Sequence, residues 1–157
     1  MLKPIFLPLV VASLFFTGCG RRDIPSPVKD ALENADQYEL LSLDPNRDLA
    51  ASANDFYGHR VLGRVVIKDL ATRKRLNDAL LAGVRPVDGK RLACFNPRHG
   101  IGLIRGGKHV DLLICFECEQ VDVIDDSNGK HNFLITSAPS ATFDAVLKEK
   151  GIARAAN

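Results

Sequence analysis

The sequence predicts an α+β domain with a mainly antiparallel sheet of about five strands and two or three helices packed on one face. Apolar periodicity along the chain gives the order helix, strand, strand, helix, three strands, helix. Gly106-Gly107 and Asn128-Gly129 separate consecutive strands, and short turns of this kind join antiparallel neighbours. Hydrophobic residues make up 46% of the chain and charged residues 25%, a balance that allows a globular core.

The first predicted helix begins at Ser26-Pro27, because serine caps helices and proline loses no hydrogen bond in the first position. Tyr38–Leu43 is predicted as a strand that ends at the turn-forming Asp44-Pro45-Asn46. The next predicted strand is Phe56–Ile67, which is rich in Val and Ile near its end. Gly63 within this strand indicates a bulge.

Two further helices are predicted from their ends. Asp69 is a suitable N-cap for the second helix, and Gly83 is placed as a left-handed residue just beyond its last turn. The closing helix carries Phe143 and Leu147 at helical spacing. Gly151-Ile152 follows it in the positions of a Schellman-type end.

Three strands are predicted between these two helices. If Gly106-Gly107 is a two-residue turn, Arg105 pairs with Lys108, and the earlier pairs of this hairpin follow from the same register. The predicted strands are Leu92–Arg105, Val110–Ile124 and His131–Thr136.

The N-terminal residues have the features of an export signal. Lys3 precedes the apolar run Ile5–Phe16, which is too short to cross a bilayer as a helix, since that needs about 20 residues. Phe16-Thr17-Gly18-Cys19 then resembles the lipobox of bacterial lipoproteins, with Phe16 where that family usually has an aliphatic residue. The resemblance implies that Cys19 is acylated and that the lipid bilayer is a partner of this protein. A plain secretory signal and an uncleaved anchor are the alternatives.

This interpretation divides the chain into a signal peptide (1–18), a lipidated cysteine with its tether (19–27) and a single α+β domain (28–157). Gly20 stands where an aspartate often retains lipoproteins at the inner membrane. The resemblance to lipoprotein sorting therefore favours the periplasmic face of the outer membrane, if the cell has two membranes. The formal net charge of +2 gives no reason to expect nucleic acid as a partner.

Acylation of Cys19 would leave three cysteines in an oxidising compartment, so at most one intramolecular disulfide can form. The hairpin register places Cys94 one residue from Cys118 across the strands, and a one-residue bulge would align them. Cys115 and Cys118 are three residues apart, so they point to opposite faces unless the strand breaks there. The preferred disulfide is therefore Cys94–Cys118, with Cys115 as a buried thiol.

Two other interpretations of these cysteines stay open. Cys94, His99, Cys115 and Cys118 form a Cys₃His set with the Cys-x-x-Cys spacing that is common in structural zinc sites. Redox exchange through Cys115 and Cys118 is the other alternative, although Glu117 and Glu119 would raise a thiol pKa. Arg98, beside this cluster, is expected to pair with one of these carboxylates on the neighbouring strand.

The segments Tyr38–Pro45, Cys94–Ile101 and Cys115–Cys118 resemble an uncharacterised family of small exported bacterial proteins. That resemblance implies a single domain and brings no mechanism with it. Since no complete catalytic constellation stands out, we expect a non-enzymatic envelope lipoprotein without a cofactor that binds an envelope protein or a small molecule. The alternative is a metal- or thiol-dependent enzyme that uses the cysteine-histidine cluster.

Overall fold

The computed structural model describes residues 24–47, 54–86, 94–127 and 130–155. These residues form three helices and one antiparallel sheet of eight strands, which confirms the α+β class. The order across the sheet is β2-β3-β1-β5-β6-β7-β8-β4. The helices are α1 (Ser26–Asn34), α2 (Leu70–Gly83) and α3 (Ser140–Glu149). The strands are β1 (Gln37–Arg47), β2 (Asp55–Phe56), β3 (His59–Val66), β4 (Val84–Arg85), β5 (His99–Arg105), β6 (Lys108–Cys115), β7 (Gln120–Asp125) and β8 (Lys130–Ile135).

The expectation of about five strands is wrong for three local reasons. Val110–Ile124 is two strands, β6 and β7, because the chain reverses between Phe116 and Glu119. Phe56–Ile67 is also divided, because Tyr57 and Gly58 have positive φ and form a tight turn between β2 and β3. The two-residue strand β4 was not predicted at all, and it pairs with β8 at the sheet edge.

Two register predictions are confirmed. Arg105 pairs with Lys108 across the Gly106-Gly107 turn, and the pairing continues along β5 and β6 as this register requires. A bulge lies beside Gly63, because Ser42 pairs with Gly63 while the next residue of β1 pairs with Val61. Turn geometry and the bulge therefore set the alignment of the strands as the sequence indicates.

The helix ends agree with the prediction at Asp69 and Gly151. The Asp69 carboxylate accepts a hydrogen bond from the Thr72 amide at 2.8 Å. Gly151 has a φ of 72°, and the Ile152 amide donates to the Leu147 carbonyl at 2.9 Å, which is the Schellman arrangement.

Gly83 does not adopt the predicted left-handed conformation. It is the last residue of α2, and a Cβ at this position would overlap the ring of Pro139, which precedes α3. Close packing between the ends of two helices therefore requires this glycine, rather than a positive φ. The longest helix of the described residues has 14 residues, and none of the three combines the length and apolarity needed to cross a membrane.

The main core lies between the helices and one face of the sheet. Alternate residues of the strands point into this core, as in Leu40 of β1 and Leu112 of β6. The helices cover them with apolar side chains, including Leu32, Leu80 and Phe143. The opposite face of the sheet, here called the outer face, is therefore available to other parts of the chain.

Candidate functional site

A groove of about 860 Å³ lies on the outer face of the sheet. Its floor includes Leu113 of β6, Asp122 of β7 and Asn132 of β8, which are neighbours across these strands. The end of β1 and the β2–β3 turn border it, together with the segment before β5. The lining residues are Pro45, Asn46, Arg47, Tyr57, His59, Phe95, Asn96, Leu113, Asp122, Val123, Ile124, Lys130, His131 and Asn132.

The β2–β3 turn forms one wall of the groove because it folds over the outer face. The Phe56 ring lies over Gly100 of β5, where an added Cβ would be only 3.1 Å from the ring. Tyr57 reaches further, and its hydroxyl donates to the Asp111 carboxylate of β6 at 2.7 Å. Tyr57 has a φ of 53°, a conformation that costs a non-glycine residue about 1 kcal/mol or more. The hydrogen bond to Asp111 holds the turn in place in spite of this cost.

Burial shifts the pKa of two groups at this wall, Asp111 below Tyr57 and His59 of β3. It raises the pKa of the Asp111 carboxyl above its ordinary value, an effect that the Tyr57 hydrogen bond partly offsets. It also lowers the pKa of His59, so the neutral imidazole is favoured. His59 Nδ1 donates to the Asp44 carbonyl oxygen at 3.1 Å, since that oxygen can only accept. This bond leaves Nε2 of the neutral ring as an acceptor.

The lining of the groove contains both apolar and charged groups. Tyr57 is 42% exposed and supplies apolar surface, while Gln120 donates to the neighbouring Asp122 carboxylate at 2.7 Å. Arg47 and Lys130 bring two cations to the same lining, against the single carboxylate of Asp122. The groove can therefore offer an apolar surface together with donors and acceptors of hydrogen bonds.

The cysteine-histidine cluster lies at the end of β6 and differs from the preferred prediction. Cys115 and Cys118 form a disulfide, with Cα atoms 5.2 Å apart, and Cys94 is a free, exposed cysteine. The predicted Cys94–Cys118 pairing assumed that the strand continues through Glu119. The strand breaks instead, which is the condition that a Cys115–Cys118 bond requires.

The turn that breaks the strand is stabilised by its own atoms. The Cys118 amide donates to Cys115 Sγ at 3.1 Å, and Glu119 has a φ of 52°. The Glu119 carbonyl accepts from the Ile135 amide of β8 at 3.0 Å. Both half-cystines are buried, so the bond lies within the packed end of the sheet.

His99 is buried, and its side chain contacts a carboxylate of α3. Its Nε2 lies 2.9 Å from an Asp144 carboxylate oxygen, and its ring packs edge-to-face on Phe116 and Phe143. The hydrogen bond from His99 lowers the pKa of Asp144 below its ordinary value. Since Cys115 is bonded to Cys118, these side chains do not form the Cys₃His set, and no group of three metal-ligating side chains occurs within the described ranges.

The pairing predicted for Arg98 is confirmed with Glu117, at 3.5 Å.

The sequence interpretation missed the groove, because Tyr57 and Asp111, which form its wall, are 54 residues apart in the chain. The sequence did contain one indication of this wall, since Tyr57-Gly58 interrupts the strand pattern with a turn-forming glycine.

Cys19, the signal peptide predicted before it and Gly129 lie outside the described residues.

Comparison of the chain with models of known families, with curated proteins and with solved structures finds no match.

Proposed function

We propose that this protein is a lipid-anchored lipoprotein of the cell envelope whose α+β domain is a non-enzymatic binding module. The groove on the outer face is the proposed ligand site. Its volume of about 860 Å³ is the observation on which the proposal depends, because binding sites for small molecules commonly measure about 300–1,000 Å³.

The lining favours a polar ligand that carries hydrogen-bond acceptors. Arg47 and Lys130 supply cationic donors, and Asp122 supplies one acceptor. The exposed ring of Tyr57 and the half-buried ring of Phe95 give the ligand an apolar surface on which to rest. A small polar molecule or an extended segment of another envelope protein fits this combination.

The contacts of the cysteine-histidine cluster favour a structural role for it. The Cys115–Cys118 bond closes a turn, and His99 joins α3 to the sheet through Asp144. Cys115 is 1% exposed and Cys118 3%, so an attacking thiolate has poor access to the bond and redox exchange through it is disfavoured. Catalysis by a metal would need these cysteines as thiolates rather than as a disulfide. For this reason a binding module is preferred to a metal- or thiol-dependent enzyme.

The anchor in this proposal is the acyl-modified Cys19, and its basis is the lipobox-like sequence alone. Stable anchoring takes two or more acyl chains, which a lipoprotein cysteine provides. The domain would then work close to a membrane surface, with the outer membrane favoured where two membranes are present.

Site-specific cross-linking in the native envelope tests the groove. A benzophenone side chain at Asn132, in the groove, is expected to give a light-dependent adduct with the ligand. The same side chain at Asn34, which is exposed on α1, is the matched control and should give no such adduct. Lys130→Met should reduce the Asn132 adduct. Equal adducts from both positions would contradict the proposal, as would turnover of a substrate that depends on Cys94 or His99.

Fractionation of cells tests the anchor separately. Cys19→Ser should move the protein from the membrane fraction to the soluble fraction, whereas Cys94→Ser should leave it with the membrane. Incorporation of labelled palmitate should follow the same pattern. Membrane retention of the Cys19→Ser variant would show that acylation at this position is not the anchor.

A further inference from the structure

A second, smaller cleft of about 160 Å³ lies beside the disulfide turn. It is bordered by the start of β5, the turn after β6 and the segment that leads into α3. Among the described residues it shares only Asn96 with the groove. The lining residues are Asn96, Arg98, His99, Phe116, Glu117, Ser137, Ser140 and Arg154.

Arg98 is the most unusual group in this cleft because its guanidinium is largely buried and incompletely paired. Its side chain is 15% exposed, and Nη2 lies 3.5 Å from a Glu117 carboxylate oxygen. Nε and Nη1 are fully buried, and within the described part of the chain neither has a hydrogen-bond partner. A buried donor without an acceptor is costly, so these nitrogens favour a ligand that accepts hydrogen bonds.

The rest of the lining suits the polar end and the apolar end of one small molecule. Ser137 and Ser140 contribute hydroxyl groups, and Asn96 contributes an amide. Ser140 also begins α3, whose N-terminal end is electropositive. Phe116 provides an apolar wall. A guanidinium matches the planar geometry of a carboxylate particularly well.

The charges around the cleft favour a ligand with a single negative charge. Glu117 lies at its border, is 59% exposed, and would oppose an anion. The Asp144 carboxylate contacts His99 at 2.9 Å and Arg154 at 3.0 Å, so it is already engaged by these two side chains and is not among the lining residues. Among the described lining residues, Arg98 and Arg154 stand against the one carboxylate of Glu117. A ligand with one negative charge matches this excess of one positive charge, whereas a doubly charged anion would exceed it.

We propose that this cleft binds a small monocarboxylate, whose oxygens accept hydrogen bonds from Arg98 and whose apolar part lies against Phe116. This site is separate from the groove, and its occupation does not depend on the function proposed for the groove. Because Nε and Nη1 are closed to solvent in this structure, the Arg98 side chain shifts toward the cleft when the ligand supplies the missing acceptors.

Titration of the full-length chain in detergent tests the proposal. Acetate and propionate are the probes, inorganic phosphate is the dianionic comparison, and binding is followed by calorimetry and by the Arg98 Nε–H resonance in ¹H–¹⁵N spectra. We expect saturable binding of both carboxylates, with propionate the tighter, and a shift of the Arg98 resonance. Phosphate should bind less tightly than either.

Four variants separate this site from general charge effects. Arg98→Met should weaken carboxylate binding about tenfold or more, and Arg98→Lys should weaken it less, because lysine keeps the charge but not the planar fork. Glu117→Gln should tighten binding by about two- to fivefold, since it removes the opposing charge. Arg64→Met, which removes an exposed charge on β3, should leave binding unchanged.

Several results would overturn the proposal, and they do not require Arg98→Met to fold. One is unchanged affinity in both Arg98→Lys and Glu117→Gln. Another is phosphate binding as tight as that of propionate, which would contradict the choice of a monocarboxylate. Equal loss of binding in Arg64→Met would show that the anions respond only to net charge.

Discussion

Replacement of single cysteines gives a direct test of the disulfide pairing. In the structure, Cys118 is bonded to Cys115, whereas Cys94 is free and exposed. We therefore expect Cys94→Ala to leave stability nearly unchanged and Cys118→Ala to lower it clearly. If Cys94 were instead the partner of Cys118, both substitutions would destabilise the domain to a similar degree.

The expected size of the loss follows from the length of the loop that each pairing closes. The Cys115–Cys118 bond has a sequence separation of 3, and the chain-entropy model gives about 2 kcal/mol for such a short loop. A Cys94–Cys118 bond would close about 25 residues and contribute about 3.5 kcal/mol. For a domain of this size, a loss of about 2 kcal/mol in the free energy of unfolding lowers Tm by about 8 °C. Cys94→Ala, as an exposed substitution, should remain within about 0.5 kcal/mol of the parent.

Thermal unfolding and peptide mapping together provide the measurement. Without reduction, trypsin should release residues 92–98 as a separate peptide with an alkylatable Cys94. The peptide of residues 109–130 should contain both other cysteines and weigh about 2 Da less than its reduced form. A covalent link between these two peptides, or a fall in Tm of several degrees in Cys94→Ala, would refute the reasoning.

Three further predictions concern pH, packing and the groove wall. The pKa of Asp144 is lowered in the fold, so its contribution to stability is present above its ordinary pKa of 3.8 and is lost as pH falls through the folded value. Unfolding followed at several pH values should thus show Asp144→Asn less stable than the parent at pH 7, with a difference that narrows as the pH falls below 3.8. A difference that stays the same at every pH would contradict a role for the bond with His99. Gly83→Ala should lower Tm, because overlap of the new Cβ with Pro139 costs about 1–3 kcal/mol. This cost outweighs the gain of about 1 kcal/mol that alanine usually gives over glycine within a helix. A higher Tm in Gly83→Ala, or no recovery of Tm when Pro139→Ala is added, would contradict this explanation. Tyr57→Phe should lower the free energy of unfolding in denaturant by about 1–3 kcal/mol, because the partly buried carboxylate of Asp111 loses its hydrogen-bond donor. An unchanged unfolding midpoint would show that this hydrogen bond does not hold the turn.

Local signals in the sequence predicted the features that depend on a few consecutive residues. The Gly106-Gly107 turn predicted the register of β5 and β6, and Gly151-Ile152 predicted the end of α3. These signals are informative because a glycine with positive φ restricts the neighbouring chain directly. Asp69 belongs to the same group, since its carboxylate caps a helix that begins at the next residue.

The break between β6 and β7 had no such signal. Residues 116–119 contain no glycine, proline or asparagine, and Phe116 continues an apolar run. The turn is stabilised by the Cys115–Cys118 bond and by the contact of Glu119 with β8. A pattern of alternating side chains cannot indicate which of three cysteines will pair.

Both candidate sites also depend on distant contacts. The groove wall requires Tyr57 to reach Asp111 across the sheet, and the cleft requires Arg98 to lie beside residues that lead into α3. The sequence did identify Arg98 and its partner Glu117, because neighbouring strands place such residues side by side. It did not indicate that two nitrogens of the guanidinium would be buried with no acceptor among the residues that the structure describes.

The sequence by itself determined the α+β class, the hairpin and register around Gly106-Gly107, the Asp69 cap and the helix end at Gly151-Ile152. It did not determine the start of the first helix, where Pro25 rather than Ser26 is the N-cap residue. Only the tertiary structure decided the partner of Cys118, the reason for a glycine at position 83 and the position of the groove. The physical reason is the range of the forces involved. Backbone preferences and caps act over a few residues, whereas disulfide pairing, close packing and enclosed volume depend on which distant residues the folded chain brings into contact.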